Sequence, residues 1–132
     1  MRITADTNVL VRAVVRDDEG QAEAAAALLR SAEVIAVSLP CLCEFIWVMR
    51  RLYKLGSPEI AAAVQALVEA GNVAVNRPAV EAGLAVFRAG GDFADGAIAY
   101  EGRWLGGETF VSFDKKAVAL VAAQGLPARE LV

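Results

Sequence analysis

Histidine is absent from the sequence. That absence removes the serine–histidine–acid and cysteine–histidine arrangements, the HExxH zinc site and every imidazole general base. Any chemistry here has to run on carboxylates. Cysteine is nearly absent: Cys41 and Cys43 are the only two, and both lie in a predicted helix. They are too few for a zinc site and point to different sides of the helix, so they read as reduced core residues. An excess of positive charge is also missing. Lysine and arginine number 13 against 16 acids, for a net charge of −3, which excludes a protein that coats nucleic acid by bulk charge alone. Long apolar runs are lacking too. The chain is 57% hydrophobic, but 27 of its residues are alanine, a helix former before it is a lipid-facing residue. Uncharged stretches such as Val34 to Cys43 and the run from Ala117 that Arg129 ends fall short of the roughly 18 apolar residues that span a bilayer. Met1-Arg2 runs straight into strand-like Ile3-Thr4-Ala5 without an export leader. These absences together predict a soluble, cytoplasmic protein with no membrane partner.

What is present is an alternation of strand-like and helical segments over 132 residues, a length that supports one domain spanning 1–132 with one core. Short β-rich runs occur at Arg2–Ala5, Val34–Ser38, Val73–Asn76, Thr109–Phe113 and Arg129–Val132, and helical periodicity fills the intervals. The pattern predicts an α/β fold, a parallel β-sheet flanked by helices on both faces. Ser57-Pro58 reads as an N-cap followed by a first helical residue. Pro40 and Pro78 fit first turns, and Gly71, Gly90 and Gly125 sit where helices should stop. Leu28, Leu29, Leu52, Leu67, Trp47 and Trp104 read as core before interface and none is assigned to a partner contact, although the hydrophobic excess leaves room for exposed apolar surface of the kind an oligomer covers.

The informative acids are those that a globular chain should place elsewhere. Glu44 interrupts the apolar run Leu39-Pro40-Cys41-Leu42-Cys43 and Phe45-Ile46-Trp47-Val48-Met49, where an ionised side chain is costly without a partner. Its ordinary alternative is a half-exposed ion pair with Arg51. Asp6 follows the first strand, at the edge where open parallel sheets bind ligands, and its ordinary role is to cap the helix beginning near Asn8. Asp114 repeats the arrangement after Thr109–Phe113. Asp92 and Asp95 are three apart at a helix start, a spacing that also suits a cap and a first-turn acid. Asp17-Asp18-Glu19 reads as a solvated acidic helix start without chemistry.

If Asp6, Glu44, Asp95 and Asp114 converge, repulsion governs the site, since two charges about 4 Å apart interact by roughly 4 kcal/mol at an effective dielectric near 20. Protons or a divalent cation must relieve it. Oxygen-only ligands favour Mg²⁺ or Mn²⁺ over zinc, and such an ion activates water against a phosphate. Without these four acids and Asp92 the chain carries +2. Arg50, Arg51 and Lys54 follow Glu44, and Lys115-Lys116 follow Asp114.

Four segments, Asp6-Thr7-Asn8-Val9-Leu10, Glu44 within Pro40–Phe45, Asp92-Phe93-Ala94-Asp95 with Ala97-Ile98-Ala99, and Ser112-Phe113-Asp114-Lys115-Lys116-Ala117, resemble the signature segments of PIN-domain ribonucleases. The nearest subgroup is the VapC-type toxins of toxin–antitoxin pairs. The resemblance covers essentially the whole chain. It implies a PIN-like fold and cleavage of RNA by water attack dependent on Mg²⁺, with Mn²⁺ able to substitute. It further implies a homodimer and a small cognate antitoxin. Carried onto this sequence, it makes Asp6, Glu44, Asp95 and Asp114 the catalytic and metal-binding acids, with Asp6 and Asp95 as direct ligands. Asp92 would assist, and Ser112 would hold Asp6 by a hydrogen bond. Gly96 stands where alanine is usual and Ser112 where threonine is common. Gly96 should loosen the helix near Asp95, because glycine costs about 1 kcal/mol relative to alanine there.

Competing classes fit less well. A receiver-like phosphoacceptor needs paired acids after the first strand and a lysine ending a late one. A haloacid-dehalogenase-like phosphatase needs a second aspartate where Asn8 stands. The alternative that survives is a catalytically silent PIN-like module that uses the acidic pocket or apolar surface to hold a partner.

Overall fold

A computed structural model describes all residues, 1–132. The chain divides into two compact units, Met1–Asn76 and Arg77–Val132.

The first unit contains β1 (Arg2–Thr4), α1 (Thr7–Val14), α2 (Glu19–Ser31), β2 (Val34–Ala36), α3 (Leu39–Arg51), α4 (Ser57–Glu69) and β3 (Val73–Ala74). Its three strands are parallel in the order β1-β2-β3, with Ile3 opposite Ile35 and Ile35 opposite Val73. Parallel neighbours require long crossovers, and a pair of helices supplies each one. Ile35 on the central strand is fully buried, as are Leu10, Leu42, Phe45, Met49, Ile60, Val64 and Val68 from the helices. Local chemistry sets the helix starts. The Asp18 carboxylate accepts from the Gln21 N–H to open α2, and the Ser38 hydroxyl accepts from the Cys41 N–H to open α3, with Pro40 in its first turn.

The second unit contains α5 (Arg77–Arg88), α6 (Phe93–Trp104), β4 (Phe110–Ser112), α7 (Lys115–Ala123) and β5 (Ala128–Glu130). β4 and β5 pair in parallel across α7, with Val111 opposite Arg129. Val86, Ala99 and Val121 form a buried cluster that Phe110, Leu120, Leu126 and Ala128 cover. α5 and α6 pack backbone to backbone. A Cβ on Gly96 would lie 2.4 Å from the Ala82 carbonyl oxygen and 2.8 Å from the Gly83 Cα. Gly96 is therefore a packing requirement, not a source of looseness near Asp95.

Both units are α/β with parallel strands, the class that the alternation predicts. No helix is long and apolar enough to cross a membrane. Three readings need correction. Each strand is shorter than its β-rich run, because only residues with a partner strand complete a ladder. The cap of α4 is Gly56, with Ser57 as its first residue; the Ser57 hydroxyl accepts from the Arg50 guanidinium instead. Trp47, Leu52 and Trp104 are not core: they are 55%, 65% and 76% exposed, while Leu28, Leu29 and Leu67 are half-buried. Trp47 lies on the outward stripe of α3, Leu52 caps that helix, and Trp104 closes α6 beyond its last buried residue, Ala99.

Candidate active site

Asp6 stands between the end of β1 and the start of α1. The strand is held in place up to Ala5, whose N–H donates to the Ala36 carbonyl at 3.0 Å. Asp6 has the extended backbone of an N-cap, φ −81° and ψ 156°, and its carbonyl accepts from the Val9 N–H. Its carboxylate accepts no capping bond. Asp18, Ser38, Asp92 and Asp114, in the same position on other helices, all accept one. The capping role open to Asp6 from sequence is not taken, and its exposed carboxylate is left for other work.

Glu44 lies in the second turn of α3 and is exposed. The apolar run hides a polar face, since Pro40, Glu44, Trp47 and Arg51 are all exposed and fall on one stripe of the helix. Glu44 makes no ion pair with Arg51, whose guanidinium lies over the Trp47 ring at 5.9 Å from its centroid. Asp6 and Glu44 both open onto a depression of about 440 Å³ at the carboxyl ends of β1 and β2, whose walls include Thr7, Ser38, Pro40 and Cys41. Beneath it Thr7 is buried. Its hydroxyl donates to the Cys41 sulfur at 3.7 Å, and the thiol donates to the Ala5 carbonyl at 3.6 Å. Burial, then the negative fields of Asp6 and Glu44, push the Cys41 thiol up against the opposing Thr7 bond. The thiol therefore stays protonated and serves as a tie between α3 and β1, not as a ligand. Sequence reasoning missed Thr7; a threonine directly behind a strand-end acid is the signal it left.

In the second unit, the Asp92 carboxylate caps α6 by accepting from the Ala94 N–H at 3.3 Å. Asp114 caps α7 by accepting from the Ala117 N–H at 3.1 Å. The Ser112 hydroxyl oxygen accepts from the Asp114 N–H at 3.0 Å, which fixes the turn after β4 and leaves the hydroxyl proton to donate elsewhere. Asp95, in the first turn of α6, is half-buried; its N–H donates to the Asp92 carbonyl at 3.1 Å, and its carboxylate has no hydrogen-bond or ion-pair partner. Burial raises the pKa of its carboxyl first, and the charges of Asp92 and Asp114 raise it further. The second unit thus brings Asp92, Asp95 and Asp114 into one electrostatic neighbourhood, and the first unit brings Asp6 and Glu44 to one pocket. Neither unit gathers three side chains in an arrangement that could hold a metal ion.

The donor chemistry suits a hard divalent cation. Every candidate ligand is a carboxylate oxygen, no histidine is present and the nearby thiol is held protonated, a set matched to Mg²⁺ or Mn²⁺. The raised proton affinity of Asp95 comes first from burial and then from the charges of Asp92 and Asp114, an effect that a nearby cation would oppose.

A family model described as PIN domain matches residues 3–122 of the chain. No curated protein matches it significantly.

Proposed function

Because the chain belongs to the PIN-domain family, whose members are generally nucleases, we propose that it is a Mg²⁺-dependent endoribonuclease, with Mn²⁺ able to substitute. We place it as the toxin of a type II, VapBC-type toxin–antitoxin pair, a cytoplasmic homodimer of one PIN-like domain over 1–132 that a small cognate antitoxin restrains. Asp6, Glu44, Asp95 and Asp114 are its catalytic acids, and Asp6 and Asp95 hold the ion directly. When bound, the ion acidifies a water and neutralises charge on the attacked phosphate. Glu44, exposed and free of any ion pair, is the carboxylate placed to take a proton from water at the Asp6 pocket. Asp92 adds to the field that raises the Asp95 pKa, and Ser112 shapes the turn that presents Asp114. Lys115 and Lys116, in the first turn of α7, attract the phosphate backbone.

The observation that carries this reading is the Asp6 carboxylate, which occupies a capping position, withholds the capping bond and opens with Glu44 onto one pocket. The toxin assignment adds the four ordered acidic segments and rests on their resemblance to the VapC subgroup. The test is cleavage of single-stranded RNA by the purified chain, read on denaturing gels with Mg²⁺, Mn²⁺ or EDTA. Cleavage is expected only with metal and should be lost in D6N and in D95N. Wild-type-like cleavage by either variant removes that residue from the mechanism, and cleavage in EDTA overturns metal dependence.

A further inference from the structure

We propose that Trp47 is a stacking platform for a base of single-stranded RNA beside the Asp6–Glu44 pocket, with Arg51 and Lys54 drawing in the adjoining phosphates. The identity of the polymer rests on the nuclease reading above; the platform rests on α3. Trp47 follows Glu44 by three positions, which sets the two side chains on one helix face with Cβ atoms about 5–6 Å apart. The indole thus lies one helical step beyond Glu44, outside the lining of the pocket itself, in a helix that buries Cys41, Leu42, Phe45, Ile46 and Met49 on its other side. A helix with this much core leaves its largest aromatic more than half exposed. Arg51 lies over the ring at cation–π distance, which restrains the indole without burying it. No ion pair engages Arg51 or Lys54, and Lys54 is the one non-glycine residue with a left-handed backbone, φ 59°, at the turn that follows α3.

An exposed aromatic with an arginine free of ion pairs over its ring, and a lysine free of ion pairs in the turn that follows, is the composition with which proteins hold single strands. The ring stacks on a base of any sequence and the cations follow the backbone. A second copy of this chain is the poorer occupant. A two-fold contact centred on Trp47 sets each patch against itself and brings both pairs of Arg51 and Lys54 together, a juxtaposition that costs affinity. The phosphates of RNA neutralise the same charges.

The experiment uses the full chain carrying W104F, in which Trp47 is the sole tryptophan and α3 is unaltered. In EDTA, a single-stranded oligoribonucleotide should quench its emission saturably, and an abasic ribose-phosphate oligomer of equal length should not. In the chain that retains Trp104, W47A should weaken binding of a labelled oligomer roughly ten- to hundredfold, and W47F should restore most of it. Absence of quenching overturns the platform whatever the cleavage result. Equal quenching by the abasic oligomer overturns it in favour of charge alone. A W47A chain that binds normally but loses a dimer seen in sedimentation overturns it in favour of a protein interface. Saturable quenching with no metal-dependent cleavage sinks the nuclease reading and leaves the platform standing.

Discussion

Asp6, Asp92 and Asp114 occupy the same local context, a carboxylate directly ahead of a helix, and only Asp6 leaves its helix uncapped. Their residue types and positions were legible in the sequence. What the carboxylates do was not, because a cap and a free acid share the same backbone angles and differ only in where the side chain turns. The exposure of Glu44 was hidden for a related reason: its neighbours in sequence are apolar, but its neighbours on the helix surface are Pro40, Trp47 and Arg51. Asp95 carries a consequence for stability. Burial, then Asp92 and Asp114, raise its folded-state pKa, so ionisation is harder in the folded chain than in the unfolded one. Stability is then lost as pH rises from the ordinary aspartate range through the raised value, and the loss persists at neutrality. D95N should therefore melt higher than wild type at about pH 7 in EDTA, and the two curves should converge as pH falls below about 4. Melting scans across that range check it, and a difference independent of pH would mean that Asp95 carries no electrostatic strain.

Strand and helix order could be read from the alternation of β-rich runs with helical periodicity, and the glycine stops at Gly90 and Gly125 do take positive φ. Element lengths could not be read, since β3 keeps only Val73 and Ala74 and a ladder ends where its partner ends. The α5–α6 contact was equally hidden. Gly96 looks like a helix-weakening residue in sequence, and its reason lies in another element, at the Ala82 carbonyl. G96A tests that contact. Intrinsic propensity favours alanine by about 1 kcal/mol, and overpacking a tight contact typically costs about 1–3 kcal/mol. Here the opposing atoms are backbone, which no rotamer change can move aside. A net loss of roughly 1–2 kcal/mol is expected from denaturant titration. A stabilised G96A chain would show that α5 and α6 have room between them.

Charge is distributed over the molecule in a way that the net value of −3 conceals. Asp17, Glu19, Glu23 and Glu33 each lie within ion-pair distance of an arginine, whereas Asp6, Glu44 and Asp95 have no cation beside them. Exposed pairs contribute little to stability, so these arginine contacts matter little for folding; the acids proposed to hold an ion are among the larger number that lack one. An ion that binds the folded chain and not the unfolded one stabilises it by about 2.7 kcal/mol at a hundredfold excess over its dissociation constant. For a chain of this length that is a rise in Tm on the order of 10 °C. Wild type should therefore melt higher in millimolar Mg²⁺ or Mn²⁺ than in EDTA, and D6N and D95N should each lose the rise while melting no lower than wild type in EDTA, since each removes a charge that no cation offsets. A wild-type melting temperature indifferent to both ions would detach these carboxylates from metal, and retention of the full rise in D6N would leave the uncapped carboxylate of α1 without a function.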